Sequence, residues 1–141
     1  MIKTDLVSFT IFGENYYPSK IQKQFDRKIF DSYHDPGQSY KVGFSGPIRI
    51  AEIGSATIKL KKSEMTFCDD SDFFSIESDT LYFIKNNYDK IFEGADLESC
   101  RLHVGFRYDN QCNFQFSPKF LKYISDLNIP FTMSCFQSFD I

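Results

Sequence analysis

The feature that most constrains the fold is an alternation of apolar and polar residues in two segments of the chain. In one segment, 6–12, the apolar residues are Val7, Phe9 and Ile11. In the other, 101–108, they are Leu102, Val104, Phe106 and Tyr108, with Arg101, His103 and Arg107 between or beside them. Successive side chains of a strand point to opposite faces of its sheet. Both segments are therefore predicted to be strands with one buried face.

Three segments of the chain carry apolar residues at helical spacing. Pro18 and Pro118 can each open a helix, because the first helical residue needs no backbone N–H donor. Ser117 and either Ser78 or Asp79 are suitable N-caps, and Gly94 is a suitable helix end. The apolar stripes are Ile21, Phe25 and Ile29 in the first helix, Leu81, Ile84, Tyr88 and Ile91 in the second, and Phe120, Leu121, Ile124 and Leu127 in the third.

The middle of the chain is predicted to be rich in strands and turns. Residues 31–39 contain His34-Asp35-Pro36-Gly37 and indicate a loop, and Gly46-Pro47 and Gly54-Ser55 indicate turns. Further strands are predicted at 40–44, 48–53, 56–62 and 65–68, then at 113–116, and finally in a segment containing Phe131, Met133 and Cys135.

Strands in hairpins with interspersed helices favour an α+β domain over a regular α/β fold. We expect an antiparallel or mixed sheet with about three helices packed mainly on one face. The length of 141 residues suits one domain spanning 1–141. Both ends run from a strand through a polar turn to a proline-led helix, so a duplicated half-domain is an alternative.

Net charge and hydropathy indicate which partners and which cellular compartment to expect. The net charge is −3, and the only basic cluster is Lys59, Lys61 and Lys62, which argues against nucleic-acid binding. No apolar run approaches the ~20 residues of a membrane span. The polar N-terminal residues lack the apolar region of a signal peptide. We therefore expect a cytoplasmic protein.

The four cysteines and the many aromatic residues have ordinary explanations. Cys68, Cys100, Cys112 and Cys135 lie far apart and form no CxxC pair, so reduced thiols are expected, with two disulfides as the alternative after export. Cys112 and Cys135 lie on or beside apolar strand positions, where a thiol is usually a small core residue. Aromatic residues make up 18% of the chain and indicate a core rich in rings.

Both ends of the chain resemble an uncharacterised bacterial family, domain of unknown function 4279. The resemblance lies in 12–21 (FGENYYPSKI), in 114–124 (FQFSPKFLKYI) and in 131–135 (FTMSC). The central section departs from the family, which tends to carry a tryptophan where this chain has Phe73-Phe74. The resemblance implies a small bacterial α+β protein, brings no catalytic residues, and suggests an association with toxin systems.

The most unusual local feature is a segment that combines acidic and aromatic residues. We predict that it is a docking surface, since concentrated charge accelerates encounter and aromatic side chains dominate binding hot spots. An alternative is that its acidic residues only complement the N-terminus of the following helix. The residues of this acidic–aromatic patch are Asp69, Asp70, Asp72, Phe73, Phe74, Glu77 and Asp79.

No motif indicates a metal, a cofactor or a catalytic group. The acidic run lacks the turn glycine and distal glutamate of an EF-hand loop, and the histidines and cysteines lack zinc-site spacing. His34 is expected to be solvated, and His103 to point away from Cys100, so neither forms a nucleophile–base pair. Carboxylates that converge from distant segments remain open as an acid–base alternative. The glycines form no phosphate-binding loop.

A small, acidic chain without a recognisable catalytic motif favours a binding role. We predict a non-catalytic immunity protein that binds and neutralises a cognate bacterial toxin, with a basic toxin domain as the partner. The alternative is a small ligand-binding domain or enzyme with an apolar pocket between sheet and helices. Its hydroxyl donors would be Tyr40, Tyr82, Tyr88 and Tyr108. A third possibility is a self-associating structural module.

Overall fold

The computed structural model describes residues 2–61, 67–68, 73–74, 78–110 and 115–138. Its helices are α1 (Pro18–Gln22), α2 (Asp79–Asn86), α3 (Tyr88–Ile91) and α4 (Pro118–Leu127), with a 3-10 turn at Leu97–Ser99. Its strands are β1 (Ile2–Gly13), β2 (Ser32–His34), β3 (Ser39–Lys41), β4 (Ile48–Ile50), β5 (Gly54–Lys59), β6 (Phe67–Cys68), β7 (Phe73–Phe74), β8 (Arg101–Tyr108), β9 (Gln115–Phe116) and β10 (Phe131–Gln137).

The main sheet is mixed and has the strand order β10-β8-β1-β5-β2. β10 runs parallel to β8, whereas the other neighbouring pairs are antiparallel. The helix α4 makes the crossover from β8 to β10, which parallel neighbours require. The α+β fold with a mixed sheet is therefore confirmed.

One face of this sheet carries the core. Val7, Phe9 and Ile11 of the central strand β1 have no exposed surface. They pair in register with residues of β5 and β8, so apolar side chains of adjacent strands line the same face. The helices contribute Ile21, Leu81, Ile84, Ile91, Phe120 and Leu127 to the same buried cluster. The alternation seen in the sequence thus places the helices against the apolar face.

The two ends of the chain use their proline-led helices differently. β2 and β1 are both antiparallel to β5 and flank it, so β5 lies between the strand that precedes α1 and the strand that follows it. β10, by contrast, lies directly beside β8. The shared order of strand, helix and strand therefore gives two different arrangements in the sheet.

The first helix is shorter than its apolar spacing predicts. α1 ends at Gln22, yet Ile29 is buried. The Gln22 side chain accepts a hydrogen bond from the Ile29 N–H at 2.8 Å and donates one to the Arg27 carbonyl at 2.7 Å. These bonds give the Ile29 N–H and the Arg27 carbonyl hydrogen-bond partners outside a helix.

The prediction of a loop at 31–39 was also incomplete, because β2 lies within it.

The predicted second helix is divided into α2 and α3 at Asn87. This residue has φ −116°, and its side chain donates to the Phe83 carbonyl at 2.9 Å. The predicted helix starts are confirmed, since the hydroxyls of Ser78 and Ser117 accept from backbone N–H groups three residues ahead, each at 3.1 Å. Gly94 ends the segment with φ 81°.

Two expectations for the remaining strands were wrong. Gly54 and Ser55 belong to β5, where they pair with Gly13 and Phe12, so they form no turn. Cys135 is exposed on β10 and is not a core residue, whereas Cys100 is buried. The Cys100 thiol donates to the Asp96 carbonyl at 3.2 Å, and burial raises its pKa.

A buried hydroxyl joins the segment after β1 to α3. Tyr16 is fully buried, its hydroxyl donates to the Ile91 carbonyl at 2.8 Å, and burial raises its pKa. We expect Tyr16→Phe to lower the free energy of unfolding by about 1–3 kcal/mol, because it leaves a buried carbonyl without its donor. Urea denaturation measures this loss. Tyr17→Phe is the control, since Tyr17 is exposed, and an equal loss in both variants would contradict the role of this bond.

Candidate protein-binding surface

β3 and β4 form a hairpin that constitutes a separate two-stranded sheet. The Val42 N–H donates to the Pro47 carbonyl at 3.1 Å and closes its turn. Gly43 has φ 72°, a conformation that side chains disfavour. A Cβ at Gly46 would lie 1.6 Å from the Val42 carbonyl oxygen, so the turn requires glycine there.

Backbone bonds join the two arms of the hairpin at its base, and a ring contact joins the hairpin to β2. The Gly37 N–H donates to the Ala51 carbonyl, and the Ala51 N–H donates to the Gln38 carbonyl, both at 2.8 Å. The rings of His34 and Tyr40 lie 4.7 Å apart. His34 is therefore half-buried at the end of β2, which corrects the expectation of a solvated histidine.

The outer face of the hairpin is exposed and carries two isoleucines beside a lysine and a serine. Ile48 lies opposite Lys41 and Ile50 opposite Ser39, so these side chains share one face. Tyr40 and Arg49 share the other face, on which Tyr40 contacts His34. Ile48 is 75% exposed and Ile50 is 69% exposed, and Phe44 in the turn is 102% exposed. An apolar cluster left open to water is typical of an interaction surface.

The hairpin also carries positive charge in an acidic protein. Residues 39–50 contain Lys41 and Arg49 and no aspartate or glutamate, whereas the whole chain has a net charge of −3. Neither cation forms an ion pair with any residue in the described part of the chain. The hairpin therefore combines exposed apolar side chains with two cations that lack a carboxylate partner there, Lys41 on the isoleucine face and Arg49 on the other.

Most of the predicted acidic–aromatic patch lies outside the described residues, namely Asp69, Asp70, Asp72 and Glu77. Phe73 and Phe74 form β7, which pairs with β6 and runs parallel to β9. Asp79 begins α2 and is exposed in its first turn, where a carboxylate complements the helix N-terminus. Docking through this patch stays a prediction.

A groove of about 120 Å³ lies between α2 and α4. Leu81 and Phe120 form its buried floor, and the Tyr123 hydroxyl donates to the Leu81 carbonyl at 2.8 Å. Its rim includes Lys85, whose ammonium group is 3.2 Å from the Asp126 carboxylate and holds the pKa of that carboxyl below its usual range. At about 120 Å³, the groove is smaller than a typical ligand pocket of roughly 300–1,000 Å³.

A larger cleft of about 480 Å³ lies beside the end of β1. Its polar lining includes Glu14, Asn15, Asp96 and Ser99, and the Ser99 hydroxyl donates to the Asp96 carboxylate at 2.7 Å. None of the predicted pocket tyrosines lines this cleft. Their positions are Tyr40 on the hairpin, Tyr82 on the rim of the groove, Tyr88 with its hydroxyl donating to the Leu127 carbonyl, and Tyr108 at the end of β8.

His103 contacts two hydroxyl groups of β10 on the face of the sheet opposite the core. Its Nδ1 lies 2.7 Å from the Thr132 hydroxyl, and its Nε2 lies 3.1 Å from the Ser134 hydroxyl. A hydroxyl at Nδ1 supplies less stabilisation of an imidazolium than the carboxylate of a catalytic triad. His103 lines neither the groove nor the cleft. The arrangement is best explained as a hydrogen-bonded polar sheet face.

Two further structural observations concern metals and membranes. Within the described ranges, no group of three or more histidine, cysteine or acidic side chains is arranged to hold a metal ion. Among the same residues, no helix combines the length and apolarity needed to cross a membrane.

The sequence contains a signal for the hairpin that its strand pattern alone does not reveal. The segment 39–50 unites apolar residues, two cations and two glycines, and lacks any carboxylate. Periodicity predicts strands here but does not say whether they join the main sheet.

Comparisons with protein-family models, curated proteins and solved structures found no match.

Proposed function

We propose that the protein is a non-catalytic binding domain that neutralises a cognate bacterial toxin by covering part of its surface. The observation that carries this proposal is the exposed apolar hairpin. Of the eleven large hydrophobic residues that are exposed in the described part of the chain, four lie within it, namely Val42, Phe44, Ile48 and Ile50. Such concentration distinguishes a binding surface from scattered surface residues.

The hairpin has the chemical character of a binding hot spot. Burial of one isoleucine or phenylalanine side chain contributes about 1.5–3 kcal/mol, so burial of Phe44, Ile48 and Ile50 together would be substantial. Phe44 supplies an aromatic anchor at the turn, where it can enter a pocket on a partner. The backbone bonds at the hairpin base limit the conformational entropy lost on binding.

Two kinds of charge bear on the partner. The net charge of −3 supports a partner with basic surface, because opposite net charge accelerates association. Lys41 and Arg49 support acidic groups where the partner meets the hairpin. The two expectations are compatible, since one partner can carry a basic surface and also acidic groups at its contact with the hairpin.

The proposal is tested with the purified protein and the purified product of the adjacent gene, because immunity genes lie beside toxin genes. We expect tight binding and loss of toxin activity. The double variant Phe44→Ser/Ile48→Ser should weaken binding by about a hundredfold or more, since each residue is expected to be a hot spot. Calorimetry measures the affinity, and a toxin activity assay measures neutralisation.

The control is Phe136→Ser, which removes a phenylalanine that is 55% exposed on β10. Its affinity should match that of the wild type, and the melting temperatures of all three proteins should agree closely. Absence of wild-type binding, or equal weakening by the control, would count against the proposal.

A further inference from the structure

The outer edge of β4 has backbone groups that the hairpin itself does not use. The bonds between Val42 and Pro47 and between Gln38 and Ala51 establish the hydrogen-bonded positions of this antiparallel ladder. Because such positions alternate along the strands, Tyr40 and Arg49 form the next bonded pair. The N–H and C=O groups of Ile48 and Ile50 therefore point away from β3.

No other strand in the described part of the chain pairs with this edge, since the sheet contains only β3 and β4. The backbone groups of Ile48 and Ile50 thus form a short template onto which another strand can be added. The side chains of the same two residues are the exposed isoleucines of the outer face. Backbone bonding and apolar contact are consequently available at one edge.

The order of side chains along β4 defines what an added strand should carry. Ile48, Arg49 and Ile50 alternate apolar, cationic and apolar, and Arg49 is exposed on the opposite face from the isoleucines. Residues directly opposite each other in adjacent strands share a face. The complementary strand therefore has an acidic residue opposite Arg49, with an apolar residue on each side of it.

We infer that the edge of β4 recognises an extended segment of the partner protein with the pattern apolar–acidic–apolar, which adds to the hairpin as a third strand. This inference rests on the proposed binding function and specifies the partner's contact segment. Main-chain hydrogen bonds supply affinity in this mode, and the alternating side chains supply specificity.

The charges of the hairpin disfavour a second copy of this chain as the added strand. In a symmetric antiparallel pairing of two β4 strands centred on Arg49, the two guanidinium groups would lie opposite each other. Like charges in that position are destabilising. Residues 39–50 provide no carboxylate that could compensate.

Two matched synthetic peptides test the inference against the full chain. The probe is Thr-Glu-Val-Glu-Val-Glu-Thr, and its control is Thr-Lys-Val-Lys-Val-Lys-Thr. We expect the acidic peptide to shift the amide NMR signals of residues 48–51 and to bind at least about tenfold more tightly than the basic one, because only it places a carboxylate opposite Arg49. The variant Arg49→Glu should reverse this preference.

Proline variants separate edge pairing from general charge attraction. Ile50→Pro removes an outward N–H while leaving the bonds between β3 and β4 intact, since proline is tolerated where the N–H faces solvent. It should abolish peptide binding. The control Ser39→Pro changes the equivalent outward N–H of β3 and should leave binding unchanged.

Three results would overturn the inference: equal binding of both peptides, amide shifts outside the hairpin, or amide shifts of residues 48–51 that depend on protein concentration without peptide. The last result would indicate pairing between copies of the chain. If the peptides fail while Phe44→Ser/Ile48→Ser still disrupts toxin binding, strand addition is wrong and the binding function stands. If the wild type binds neither toxin nor peptide, both are wrong.

Discussion

Replacement of Gly54 by alanine is expected to destabilise the protein by about 3 kcal/mol or more, the upper range for overpacking. A Cβ at this position would lie 1.7 Å from the Tyr16 carbonyl oxygen, which is backbone and cannot rotate away. Tyr16 is itself held by burial and by its bond to Ile91. Urea denaturation should show a lower midpoint, or the variant should fail to fold.

Gly105→Ala provides the control for this substitution. A Cβ at Gly105 would meet the Ser134 hydroxyl at 3.5 Å and the Leu6 Cβ at 3.6 Å, which are ordinary contact distances. The expected loss is within about 1 kcal/mol. Equal losses at Gly54 and Gly105 would show that the close approach of Gly54 to Tyr16 does not determine stability.

The second large effect is expected in the core. Phe9 lies at the middle of β1 with no exposed surface, and it pairs with Ile58 of β5 and Leu102 of β8. Phe9→Ala should lower the free energy of unfolding by about 3–5 kcal/mol, because neighbours on both strands cannot collapse fully into the space. The measurement is equilibrium urea unfolding followed by circular dichroism.

Phe136→Ala is the matched control for Phe9→Ala, since it removes the same ring from an exposed position on β10. We expect its loss to remain below about 1 kcal/mol. If both variants lose the same free energy of unfolding, burial of the ring does not determine its contribution to stability, and the prediction for Phe9 is wrong.

These core positions lie apart from the proposed binding surface. Phe44, Ile48 and Ile50 are exposed on a hairpin that belongs to a different sheet from Phe9 and Gly54. Substitutions in the hairpin should therefore change binding without a comparable change in stability. A loss of affinity in the hairpin variants will therefore not simply report loss of folding.

Local patterns predicted much of the fold correctly. The alternation of Val7, Phe9 and Ile11 predicted the central strand, and Ser78 and Ser117 predicted the helix starts. These signals are reliable because strand period and capping depend on residues close together in the chain. The prediction that helices cover one face follows from the same alternation.

Contacts that the hydrophobic pattern does not encode account for the errors. Gly54 lies in a strand instead of a turn because it pairs with Gly13 and packs against Tyr16. The helix after Ser78 breaks at Asn87. Ile29 is buried outside any helix, and its N–H donates to the Gln22 side chain instead. In each case a tertiary contact or side-chain hydrogen bond overrides the local preference.

For the hairpin too, some properties follow from the local sequence and others only from the tertiary structure. The sequence by itself determined the residues of the hairpin, its cations, its lack of carboxylates and its turn glycines, because these are properties of one short segment. Only the tertiary structure decided that β3 and β4 stand outside the main sheet, with Ile48 and Ile50 open to water. Strand pairing and exposure depend on every segment that could cover the hairpin, and local periodicity carries no information about those partners.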